Sequence, residues 1–115
     1  MGAFAVLNQN KDFRTLYYHG KSKVHPLLVT YVRKNRQETS RVGITTSKKV
    51  GKAVLRNRSR RIIREAYRQL MPKTAGHYDI VFVARAKTPF SKTSEILPVM
   101  EAHLKELGVI QGENQ

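Results

Sequence analysis

The longest regular pattern of apolar positions runs from Val54 to Met71. At about 100° per residue, Leu55, Ser59, Ile62, Ile63, Ala66 and Leu70 share one face, and Arg56, Arg60, Arg61, Arg64 and Arg68 fall across the opposite half. The spacing predicts an amphipathic helix, which Pro72 stops. A shorter helix is predicted over Asn8 to His19, capped by Asn8 or Asn10 and ended by Gly20. Phe13, Leu16 and Tyr17 recur there at i, i+3 and i+4 and give it an aromatic face. A last helix, capped by Ser91 or Thr93, carries Ile96, Leu97, Met100, Leu104 and Leu107 and ends at Gly108. Between the helices the rhythm changes. Lys21 to Val24 reads as a brief strand, and Pro26 breaks the chain after it. Leu27 to Arg33 is rich in β-formers, Lys34 to Ser40 is a polar turn, and Arg41 to Ser47 alternates. The segments on either side of that turn are expected to pair as a hairpin. Tyr78 to Ala86 is apolar on both faces, as a central strand should be, and Pro89 follows. The order helix, strands, helix, strand, helix predicts an α+β two-layer sandwich in a single domain over 1–115.

Charge changes the picture next. The 115 residues hold 22 Lys+Arg against 8 Asp+Glu, a formal charge of +14. A compact fold with that charge repels itself unless an anion lies beside it, and nucleic acid is the commonest such anion. The 40% hydrophobic content argues for a folded core rather than a basic tail. The absence of cysteine excludes disulfides and thiolate metal sites. No apolar run approaches the roughly 20 residues of a spanning helix. Met1 to Leu7 is too short for a signal peptide and has no Lys or Arg in front of it, so a cytoplasmic location is expected.

The cations are unevenly spread. Residues 41–68 hold ten of them (Arg41, Lys48, Lys49, Lys52, Arg56, Arg58, Arg60, Arg61, Arg64 and Arg68) and one acid, Glu65. Solvated helix faces usually mix signs. A nearly pure arginine face calls for phosphates, and the planar guanidinium suits bidentate phosphate contacts and base stacking. Within this stretch, Lys48-Lys49, Gly51-Lys52-Ala53-Val54, Arg56-Asn57-Arg58 and Arg60-Arg61 resemble the motif of the bacterial ribonuclease P protein family. Asp12-Phe13, His19-Gly20, Arg41-Val42-Gly43 and Val83-Ala84-Arg85 extend the resemblance over roughly residues 8–107.

The resemblance implies a ribosomal-protein-like fold, a four-stranded mixed sheet with three helices and a left-handed crossover between parallel strands. It implies a protein subunit that binds a catalytic RNA and the 5′ leader of precursor tRNA, with Mg²⁺ held by the RNA and none bound tightly by the protein. Lys48, Lys52, Arg56, Asn57, Arg58, Arg60, Arg61, Arg64 and Arg68 would contact the partner RNA. Phe13, Tyr17, Tyr31, Lys49 and Arg85 would line a leader cleft between the first helix and the sheet. Rings beside cations are what single-stranded RNA needs; the alternative is that the three rings are core. The chain departs from the family at Ala86, where a lysine is expected after Arg85, and the cleft charge then leans on Lys49.

Other chemistry fails on spacing. Gly51-Lys52 is not a phosphate loop, because Ala53 replaces the Mg²⁺-holding hydroxyl and Gly43 lies too far upstream. His19, His25, His77 and His103 lack metal-ligand spacing, and the acids show no catalytic pairing. A helix-turn-helix reader is disfavoured by the β-rich segments. A ribosomal-type or general RNA-chaperone protein remains the alternative. A membrane-surface protein would need an apolar face left free for lipid. No membrane and no obligate protein partner is expected.

Overall fold

The computed structural model describes residues 5–74 and 76–110; the first residues of the stretch tested for a targeting signal, Met1 to Phe4, lie outside them. The chain runs β1 (Ala5–Val6), α1 (Asn10–His19), β2 (Lys21–His25), β3 (Leu28–Lys34), β4 (Arg41–Thr45), α2 (Ala53–Leu70), β5 (Tyr78–Ala84) and α3 (Thr93–Glu106), with single 3-10 turns at Lys48–Val50, Met71–Lys73 and Thr88–Phe90. The strands form one mixed sheet in the order β1-β4-β5-β3-β2.

The expected hairpin between the third and fourth strands does not form. β5 inserts between them, antiparallel to β3 and parallel to β4, and the hairpin that exists joins β2 to β3. β5 has the most apolar run of the chain, and the centre of the sheet is where both its faces can be buried. The two-residue β1 pairs in parallel with β4 and makes five strands where four were expected.

Pleating divides the sheet into two faces. Leu28 and Val32 of β3, Val42 of β4 and Ile80, Phe82 and Ala84 of β5 point toward α2 and α3, where they meet Ile62, Ile63, Ala66, Tyr67, Leu70, Ile96, Met100 and Leu104. Tyr67 joins this core although the arginine-face reading of the helix left it out. Burial pushes its phenol up to about 12, and its ring lies 5.6 Å from that of Phe82. α1 packs on the opposite face, where Leu16, Leu7 and Val81 are buried with Phe13, Tyr31 and Val83 around them. Sheet, α2 and α3 thus form the two-layer body, and α1 adds a partial layer behind it.

Helix ends follow local chemistry only in part. Neither Asn8 nor Asn10 caps α1; the cap position is Gln9, without a side-chain bond. The cap position of α3 is Lys92 rather than Ser91 or Thr93, and the Lys92 backbone N–H donates to Glu95 Oε1 at 2.7 Å. That carboxylate sits at the positive end of the helix, where it is favoured.

Candidate nucleic-acid interface

The β4–α2 link is built to present backbone and cations together. Ser47 Oγ accepts from the Lys49 N–H at 3.2 Å and starts the 3-10 turn. Val50 is buried and anchors that turn, leaving Lys48 and Lys49 exposed. Gly51 then takes φ +133°, where a Cβ would lie 2.6 Å from the Leu55 side chain, so only glycine fits. α2 begins at once, with no side-chain cap and no acid in its first turn. Cations at a helix N-terminus oppose the macrodipole, and an anion there relieves both defects.

Along α2 the predicted RNA contacts divide. Lys52, Asn57, Arg58, Arg61, Arg64 and Arg68 are exposed, as is Lys48 before the helix. Arg60 is half-buried. Arg56 is also half-buried, and its guanidinium donates to the Gly51 carbonyl at 2.7 Å, so it holds the glycine turn. Arg68 pairs with Glu65 at 2.8 Å, an exposed pair that holds the arginine only weakly. Arg41, one of the ten cations of residues 41–68 but not a predicted RNA contact, stands apart from this face. It lies on the α1 face of the sheet, in a two-pronged pair with Asp79 at 2.9 and 2.7 Å, with Asp12 at 3.8 Å. The hydrogen bonds to Asp79 raise its pKa further.

The second surface lies on the other side of the sheet. β4 carries Gly43, where a Cβ would stand 2.6 Å from the Phe13 ring. Its bare backbone lets α1 settle onto the sheet, with Phe13 half-buried beneath it. Tyr17, one turn on, is 41% exposed and meets Tyr31 edge to face at 4.9 Å. Phe13 and Tyr31 are both half-buried against this small core, Phe13 over Gly43 and Tyr31 beneath Tyr17, and Tyr17 is the ring that stands exposed.

Beyond Tyr31, α1 leaves the sheet uncovered. The register places Thr45, Val83, Val29 and Val24 in one row across β4, β5, β3 and β2. Val24 is exposed and the other three are half-buried. This floor was missed from the sequence, although alternation along β3 and β5 marks Val29 and Val83 as facing away from the main core. Lys49 and Arg85 follow β4 and β5 at the same end of the sheet. Both are exposed, and Arg85 donates to the His25 carbonyl at 3.3 Å.

Among the described residues, no three His, Asp or Glu side chains gather as a metal-binding group, and no helix is long and apolar enough to cross a membrane. Asp12 and Asp79, on the α1 side of the sheet, are engaged by Arg41.

The family described as Ribonuclease P matches residues 1–108. A ribonuclease P protein component from Clostridioides difficile is 53% identical over 83 residues, covering 71% of this chain and 73% of the relative. The solved RNase P protein of Staphylococcus aureus superposes with a TM-score of 0.82 at 32% identity, over 95% of this chain and 100% of the other. That of Thermotoga maritima gives 0.76 at 29% identity, again over 95% and 100%. Whole-chain agreement in both motif and fold makes this chain a member of the ribonuclease P protein family, the protein component of an endoribonuclease.

Proposed function

We propose that the chain acts as the RNA-binding subunit of a cytoplasmic ribonuclease P ribonucleoprotein and assists removal of the 5′ leader from precursor tRNA. The α2 face, with Lys48 and Lys52 at its start, docks on the catalytic RNA through phosphates. The groove of Tyr17, Tyr31 and the valine floor, flanked by Lys49 and Arg85, takes the single-stranded leader, with Phe13 setting the position of α1. The observation that carries this reading is the placement of the two surfaces on opposite sides of one sheet, so that two RNAs are held at once without competing. Mg²⁺ would be held by the RNA in this scheme and would supply the hydrolytic chemistry there, while Asp12 and Asp79 serve Arg41.

Reconstitution tests it. With the partner RNA and Mg²⁺ at low salt, the protein should raise turnover or affinity for precursor tRNA, and the protein alone should be silent. Robust cleavage by RNA-free protein would overturn the proposal. Equal binding of precursor and mature tRNA would favour a general RNA chaperone.

A further inference from the structure

Phe90 is 71% exposed at the corner where α2 meets the start of α3. Single exposed aromatics are ordinary; its setting is not. The turn that carries it is pinned from below. Thr88 and Pro89 are buried, and Thr88 Oγ1 donates to the Leu27 carbonyl at 2.8 Å while accepting from the Arg85 N–H at 2.7 Å. The Phe90 and Ser91 N–H groups close onto Lys87 and Thr88 at 3.2 and 3.0 Å. The Ser91 hydroxyl adds a bond to the Lys87 carbonyl at 2.9 Å. A fixed backbone therefore holds the ring in solvent.

A groove of about 450 Å³ runs from that ring to α2, lined by Arg58, Arg61, Ile62, Pro89, Phe90 and Lys92 among others. A second groove adjoins it along α2, sharing Arg58 and Arg61 and reaching Asn57 and Val54, which is also 71% exposed. Arg58 and Arg61 make no ion pair among the described residues. The α3 N-terminus is already capped by Glu95, so the ring and the cations, rather than the helix end, define the chemistry.

We propose that this corner is a nucleobase-stacking site, which takes an unpaired nucleotide of the partner RNA on the Phe90 ring and its flanking phosphates on Arg58, Arg61 and Lys92. It rests on the reading that the α2 face holds RNA, and extends that interface off the helix onto the turn before α3. Stacking on an aromatic ring beside cations is how unpaired nucleotides bind without sequence readout. Isolated Phe and Val side chains among cations give too little apolar surface for a lipid-embedded face.

The test measures association of the full-length protein with ribonuclease P RNA, transcribed from the same genome, across a salt series in Mg²⁺. Phe90→Ala should weaken association roughly 5- to 150-fold, the value of one base–aromatic stack, with the salt slope unchanged. Phe90→Trp should retain affinity, and Phe90→Leu, which keeps apolar bulk without a π face, should behave like Phe90→Ala. Thermal melts of all three should match the parent protein. Full affinity in Phe90→Ala or in Phe90→Leu would refute the stacking site. Arg64→Ala, on α2 but outside this groove, separates the two levels. If it lowers the salt slope while Phe90→Ala is silent, the stacking site alone fails. If neither changes binding, the docking face fails and takes the site with it.

Discussion

The two faces of the sheet are anchored to different depths. Toward α2 and α3, seventeen buried hydrophobic residues form one cluster among the described residues; toward α1 there are three. A fully buried large apolar side chain contributes roughly 1.5–3 kcal/mol, so α2 is held far more firmly than α1. The difference fits the proposed division of labour. α2 turns its whole solvent side into a cationic surface and needs a deep core to hold like charges on one rigid rod. α1 stands on Gly43 and leaves a row of valines uncovered beside it, which gives a flexible single strand room to lie.

The strongest way to break this comparison is to strip charge from α2. Replacing Arg58, Arg60 and Arg64 together with Ala should lower the salt slope of association with the catalytic RNA by about 3, one per phosphate contact, and weaken binding about a thousandfold near 0.1 M salt. Preference for precursor over mature tRNA should persist in whatever complex still forms. If the triple variant loses that preference while assembly survives, the two faces are not separate sites.

Smaller effects should distinguish the rings on the α1 side. Tyr17→Ala and Tyr31→Ala should each cost about 1–3 kcal/mol of precursor affinity, the range for a base–aromatic stack. Neither should affect mature tRNA or assembly with the partner RNA. Phe13→Ala should instead lower stability, by about 2 kcal/mol. That is less than the 3–5 typical of a fully buried ring, because Phe13 is only half-buried against Gly43 and Leu7. Denaturant titration alongside leader binding separates the outcomes. A Phe13→Ala protein of unchanged stability with selectively lost leader binding would place Phe13 among the stacking rings.

What could be read from the sequence followed the range of the interaction. The cationic face of α2 was legible because helix periodicity and charge are local, and the run from Ser47 to Arg68 carries both. Strand partners were not, because sequence neighbours in a sheet are only a favoured guess. Nothing near β3 and β4 announces that β5 will come between them. Phe13 and Tyr17 share a helix face by spacing, yet only the position of Gly43 beneath α1 decides which ring is buried. Tyr67 was missed because its hydroxyl makes it look like a surface residue, while its ring fills core. Arg41 reads as one more cation until folding brings Asp79, 38 residues away, against it.

His103 offers the finest test of how rigid the floor between the two faces is. It is buried on α3, and its Nδ1 lies 2.8 Å from the hydroxyl of Thr30 on β3, one residue before Tyr31. Burial lowers its pKa, the charges of His25 and Lys23 add to that, and Glu106 acts against it. Folding therefore favours the neutral ring. The His103 contribution is fully present above the unfolded pKa near 6.5 and is lost progressively as the pH falls below it, because the unfolded chain binds the proton more readily. The thermal midpoint should decline from pH 7 to pH 5, before most carboxylates titrate. His103→Gln, which keeps a partner for Thr30 but cannot titrate, should flatten that decline, while leader affinity at pH 7 stays within twofold of the parent. An equal decline in the variant would assign the pH dependence elsewhere. A large loss of leader affinity at pH 7 would mean that the α3 side sets the geometry of the groove, and that the two faces are mechanically coupled through β3.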